Sequence, residues 1–213
     1  MTYDTLVKLL GRQGYFDLAS VVQLSGERRG ALLVELSRWC KAGRLVPLRR
    51  GMYAFPERYT SRPVSPAELA GALCAPSYLS ERWALGFLGL IPERVVTYTS
   101  VTSRAPRTFE NAFGTFAYRH VKPAAFFGCR PVEIGGRRVL LAEPEKALLD
   151  LWHLEAGPWG RDRMAGMRFQ NRELVGAGRL REYAARFGSK RLEAAAGVWL
   201  GLSRAEAEGT VEL

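Results

Sequence analysis

Apolar residues fall at helical spacing in the stretch before Gly43: Leu32, Leu36, Trp39 and Cys40 sit at i, i+4, i+7 and i+8, with Leu33 beside them. That spacing predicts a helix from about Glu27 to Lys41, ended by Gly43. Two shorter helices precede it. Asp4 can cap one over Leu6, Val7, Leu9 and Leu10, stopped by Gly11 to Gly14. Asp17 can cap another over Leu18, Val21 and Val22, ending near Leu24, with Ser25-Gly26 as the turn. After Gly43 the pattern shortens to two apolar strands, Leu45 to Leu48 and Met52 to Phe55, about the basic turn Arg49-Arg50-Gly51. Three short helices and a hairpin predict a winged helix-turn-helix unit over residues 1–56.

Residues 57–66 hold Pro63 and Pro66 among Ser and Thr, and read as a linker. Ser65-Pro66 opens a helix over Ala67 to Leu73. Ser77 to Ser80 reads as the opening of a helix over Glu81 to Leu88, in which Ser77 or Ser80 caps and the Tyr78 hydroxyl lies at the surface. Val95 to Val101 reads as a strand. Hairpins are expected around Asn111 to Gly114 and around Gly135-Gly136. Glu143-Pro144-Glu145 starts a helix over Lys146 to Glu155. The tail from Asn171 to Leu202 is mostly helical, and Ser203 to Leu213 is expected to fray. The fold class is α+β: a winged helix-turn-helix, then a larger mixed α/β domain over residues 67–213 with a helical C-terminal tail.

Charge sharpens the first unit. The chain has 31 Lys and Arg against 21 Asp and Glu, a net +10, which favours a polyanionic partner. Residues 1–60 carry 10 basic against 5 acidic side chains, the same excess of five that the remaining 153 residues spread over 21 against 16. With the apolar stripe inward, the outward arc of the third helix carries Gly30, Ala31, Val34, Ser37, Arg38 and Lys41. Arg38 and Lys41 can reach phosphates, and Arg49 and Arg50 can do so from the hairpin. Arg28 and Arg29 lie in the first turn, where recognition helices meet base edges, although the wheel sets them beside the apolar stripe. A protein-docking winged helix, with solvated arginines, is the plainer alternative.

The chain offers little enzymatic chemistry. Cys40, Cys74 and Cys129 are scattered, so no disulfide framework or zinc knuckle is indicated, and reduced thiols in a cytoplasm are the simplest reading. No stretch approaches the roughly 18 apolar residues that span a bilayer. His120 and His153 are the only histidines, Gly188-Ser189-Lys190 is not a phosphate loop, and no Gly-x-Ser-x-Gly elbow occurs. No metal or cofactor is expected. Lys146 and Asp150, at i, i+4, can pair for a few tenths of a kcal/mol. An enzyme alternative, a nuclease or a kinase-like modifier, would draw on the acidic residues of 143–150; the helix-opening reading of the same residues is simpler.

Several ordered blocks resemble AbiEi-type antitoxins. They are Pro76-Ser77-Tyr78-Leu79-Ser80-Glu81-Arg82-Trp83-Ala84-Leu85, Gly89-Leu90-Ile91-Pro92-Glu93, Thr99-Ser100-Val101-Thr102, Gly114 to Arg119, and Ala142-Glu143-Pro144-Glu145-Lys146-Ala147-Leu148-Leu149-Asp150. Arg49-Arg50-Gly51-Met52-Tyr53 is similar to the family's wing, and the resemblance spans about residues 10–155. It implies the antitoxin of a type IV toxin–antitoxin (abortive infection) system. The first domain would repress the shared promoter by binding operator DNA. The second would counteract a nucleotidyltransferase toxin, without requiring a stable complex. The expectation is a non-enzymatic cytoplasmic repressor with Arg28, Arg29, Ser37, Arg38, Lys41, Arg49 and Arg50 on DNA, and Tyr78, Ser80, Glu145, Lys146 and Asp150 in the antitoxin domain.

Overall fold

The computed structural model describes residues 1–61 and 63–209, and the side chains of all of these except 206–209. Arg62 of the expected linker and residues 210–213 of the expected frayed end lie outside the described residues. The protein is mixed α+β.

The N-terminal unit holds helices α1 (Tyr3–Leu10), α2 (Leu18–Ser25) and α3 (Arg29–Lys41). Thr2, not Asp4, caps α1, its hydroxyl accepting from Thr5 N at 3.2 Å; Asp4 sits inside the first turn. Asp17 caps α2 by accepting from Ser20 N at 2.7 Å. The hairpin consists of β2 (Val46–Arg49) and β3 (Met52–Ala54), and Gly51 takes the positive φ of 73° that its turn requires. A third strand, β1 (Tyr15–Asp17), pairs antiparallel with β3 and makes the order β1-β3-β2. The pattern gave no hint of β1, because three residues are too few to show alternation.

The larger unit is built on a six-stranded mixed sheet. Its strands are β4 (Ser77–Leu79), β5 (Tyr98–Thr102), β6 (Arg107–Asn111), β7 (Gly114–His120), β8 (Cys129–Ile134) and β9 (Arg137–Ala142), in the order β6-β7-β5-β4-β9-β8. Ser77 to Leu79, expected to open a helix, instead form this inner strand, antiparallel to β5 and parallel to β9. All three residues are buried, so no polar face marks them as a strand. Helices α4 (Pro66–Leu73), α5 (Glu81–Phe87) and α6 (Pro144–Leu154) follow the expected positions. The tail forms α7 (Arg161–Gly166), α8 (Ala177–Phe187) and α9 (Lys190–Gly209), so helix continues into the stretch expected to fray. Trp152 of α6 meets Trp199 of α9 at 6.1 Å between ring centroids, which ties the tail to the sheet-packed helix.

Two hydrophobic cores divide the chain, and the hairpin belongs to both. Leu45 and Phe55 join Leu6, Leu10, Leu32 and Leu36 in the first. Leu48, Met52 and Ala54 join the core of the larger unit. Asn111 of β6 donates from Nδ2 to the Leu48 carbonyl at 3.1 Å, which joins the hairpin to the sheet edge.

Candidate functional site

Two polar constellations stand out, one exposed and one buried. The exposed one surrounds α3 and the hairpin tip. Leu32, Leu36 and Trp39 bury one stripe of α3, which leaves Gly30, Ala31, Leu33, Val34, Ser37, Arg38 and Lys41 exposed. Arg28 and Arg29 are exposed as well, so the first turn is free toward solvent rather than folded along the stripe. Arg29, Leu33, Arg49, Arg50 and Gly51 line an open groove of about 640 Å³ together with Leu18 and Val22 of α2. The Leu18 N–H donates to the Gly51 carbonyl at 2.8 Å and fixes α2 against the tip. Arg49 is half-buried; its Nη1 donates to the Arg50 carbonyl at 3.2 Å, and its Nε is buried without a partner among the described residues. Arg50 is exposed. The groove's one carboxylate among the described residues is Asp17, already engaged as the α2 cap. Its three arginines therefore present net positive charge.

The structure separates the α3 candidates. At about 100° per residue, Arg38 lies about 180° around the helix from Arg29. Ser37, Arg38 and Lys41 do not line the groove, and Arg38 is paired with Glu35 at 3.1 Å on the exposed surface.

The buried constellation joins β4 to α6. Asp150 Oδ2 accepts from Tyr78 OH at 3.0 Å and from Ser80 Oγ at 2.7 Å, while Oδ1 takes the Lys146 ammonium. Tyr78, Ser80, Lys146 and Asp150 are all at most 1% exposed. The ammonium also lies over the rings of Phe187, Phe127 and Tyr78, at 4.7, 5.1 and 5.4 Å from their centroids. Burial lowers the Lys146 pKa, which the Asp150 carboxylate partly restores; burial and the same carboxylate drive the Tyr78 pKa up. Gly128, at φ 67°, leaves room for this packing, since a Cβ there would lie 3.1 Å from Lys146 Cβ and 2.9 Å from Tyr183.

Three expectations change here. Tyr78 points inward rather than to the surface. Ser80 stands at the head of α5 but makes no side-chain cap, because its hydroxyl serves Asp150. The Lys146–Asp150 pair is fully buried, far from the solvated pair worth a few tenths of a kcal/mol. Glu145 does not join the cluster: its Oε1 accepts from Gly176 N at 2.7 Å, and its Oε2 lies 3.7 Å from Arg179. Glu143 lies 3.9 Å from Arg179 and takes the Tyr183 hydroxyl. Glu143 and Glu145 thus share Arg179, whereas Asp150 is turned to Tyr78, Ser80 and Lys146. Among the described residues no group of three or more His, Cys, Asp or Glu comes together as metal ligands do.

Glu81 is a buried acid that the pattern could not reveal, since it reads as an ordinary first-turn acid. It adopts φ 52° and is 3% exposed, with Oε2 3.8 Å from Arg119 and Oε1 unpartnered among the described residues. Burial, opposed by Arg119 and aided by Asp150 and Glu155, raises its pKa from 4.5 to about 7. The folded state therefore holds this proton more tightly than the unfolded chain. The resulting stability is complete below pH 4.5 and is lost as pH rises through about 7. Glu81→Gln is expected to remove that loss, roughly 3 kcal/mol by pH 8. Urea midpoints of both proteins from pH 4.5 to 8 check this, and parallel curves would rule it out.

Compared with known proteins, the chain matches no family model and no curated relative. Among the described residues no helix is long and apolar enough to cross a membrane.

Proposed function

We propose that this protein is a DNA-binding repressor in which α2 and α3 form the helix-turn-helix and β2–β3 the wing. In this reading α3 enters the major groove by its N-terminal turn, and the wing tip grips the flanking backbone. The observation that carries it is the open groove between α3 and the hairpin, where Arg29, Arg49 and Arg50 meet with no ion pair among the described residues. Arginines packed for stability alone would be expected to sit beside carboxylates, as Arg82 and Arg163 do with Glu155.

The second half of the proposal makes the chain a cytoplasmic type IV antitoxin whose larger domain, residues 67–213, counteracts a nucleotidyltransferase toxin. What supports it is the ordered set of blocks that resemble AbiEi-type antitoxins. Two of these blocks, distant in sequence, supply all four members of the buried cluster: Tyr78 and Ser80 from one, Lys146 and Asp150 from the other. Asp150 joins the two blocks, by accepting from Tyr78 and Ser80 and pairing with Lys146.

The full chain is expected to retard a duplex from immediately upstream of its own reading frame in a gel shift, with binding that weakens as salt rises. Co-expression with a nucleotidyltransferase encoded beside it is expected to relieve growth arrest. Unshifted DNA overturns the repressor reading, and persistent arrest overturns the antitoxin reading.

A further inference from the structure

The hairpin tip also forms one wall of a second basic cleft, on the side where it meets the larger unit. Arg49 and Arg50 line this cleft with Arg104 and Arg107, over a floor of Ala72, Leu73, Cys74, Ala75 and Phe109. It holds about 540 Å³. No Asp or Glu is among its described lining residues, and none of the four arginines makes an ion pair among the described residues.

The fold builds this cleft. Strand alternation puts Arg107, Phe109 and Asn111 on one side of β6 and Thr108 and Glu110 on the other. Asn111 fixes that first side toward the hairpin through its bond to the Leu48 carbonyl. The loop carrying Arg104 is held at its backbone, because Arg104 N donates to Thr102 Oγ1 at 3.2 Å and the Arg104 carbonyl lies 3.0 Å from His120 Nδ1. The exposed side chains of Arg104 and Arg107 therefore project from a secured segment, beside a hairpin packed into the same core.

We infer that Arg104 and Arg107 extend the nucleic-acid contact from the wing onto the larger unit, binding the phosphates of duplex beyond the wing tip. The inference rests on the repressor reading above. The groove at α3 and this cleft share Arg49 and Arg50, so the two basic surfaces meet at the tip. A duplex docked on α3 and passing the wing would run onto Arg104 and Arg107. Four guanidinium groups without carboxylates repel one another, and a polyanion relieves that repulsion. The contact carries no sequence information, so it adds affinity and footprint rather than operator choice.

Salt titrations of full-length protein on the upstream duplex and on a mixed-sequence duplex test this. Arg104→Ala with Arg107→Ala is compared with Arg49→Ala with Arg50→Ala, and with Arg130→Ala with Arg138→Ala. The last pair removes the same charge from the opposite sheet edge, β8–β9. The cleft variant is expected to bind both duplexes about tenfold or more weakly at 0.1 M salt and to lose about 0.9 of slope per phosphate contact. Arg104→Lys with Arg107→Lys is expected to restore most of the slope, and thermal unfolding should be unchanged. If the cleft variant behaves like the β8–β9 control while the wing variant weakens, the extended contact is wrong and the repressor reading stands. If neither weakens, both fall.

Discussion

Asp150→Ala is expected to lower the unfolding free energy by about 3–5 kcal/mol, because it strands a buried ammonium and two buried hydroxyl groups at once. At about 2–4 °C per kcal/mol for a chain of this size, the melting temperature falls by roughly 10 °C. Asp150 satisfies Tyr78, Ser80 and Lys146 together, and it is 0% exposed, so water cannot replace it without opening the core. Lys146→Met alone leaves a buried carboxylate with two donors and is expected to lose a comparable amount. The double change Lys146→Met with Asp150→Asn removes both charges and keeps an oxygen for Tyr78 and Ser80. It is therefore expected to be destabilised by less than the sum of Lys146→Met and Asp150→Asn, with a coupling of about 1–3 kcal/mol. Urea unfolding of the four proteins closes the cycle. A loss under about 1 kcal/mol for Asp150→Ala would remove the cluster's standing as the link between β4 and α6.

That cluster shows what the pattern of residues can and cannot reveal. Lys146 and Asp150 are visible as an i, i+4 pair, but spacing on one helix says nothing about what covers it. The covering strand, β4, is three residues long and buried on both faces, so Tyr78 looks like part of the following helix. Its neighbours β5 and β9 lie about 20 and 60 residues downstream, and only those pairings make it a strand. The hairpin was legible for the opposite reason. Its turn needs a glycine at positive φ, its strands are adjacent, and the two arginines at the tip have no apolar alternative. What the pattern missed there is long-range: the hairpin's other face packs into the larger core, and Arg104 and Arg107 come to stand beside it. The exposure of α3 follows from its apolar stripe, yet the stripe alone could not say which exposed residues share a groove with Arg49 and Arg50.

Arg49→Ala with Arg50→Ala is expected to weaken duplex binding by roughly 8- to 60-fold at 0.1 M salt, since one to two phosphate contacts at a slope of about 0.9 each give about one to two decades on extrapolation from 1 M. The two arginines should not contribute equally. Arg50 is exposed, and its guanidinium has no partner among the described residues, whereas Arg49 is half-buried with Nη1 bonded to the Arg50 carbonyl. Arg50→Ala alone should therefore carry most of the lost slope, and Arg49→Ala should also loosen the tip. On α3 the groove distinguishes Arg29 from Arg38. Arg29→Ala should weaken the upstream duplex more than a mixed-sequence one, because the first turn of α3 is where base edges are met. Arg38→Ala, on the opposite arc and paired with Glu35, should change either by less than threefold, a rim-charge effect of under about 0.7 kcal/mol. Anisotropy titrations with both duplexes at several salt concentrations separate these cases. A larger loss for Arg38→Ala than for Arg29→Ala would mean that α3 meets DNA with its other face, and the groove between α3 and the wing would no longer be the docking site.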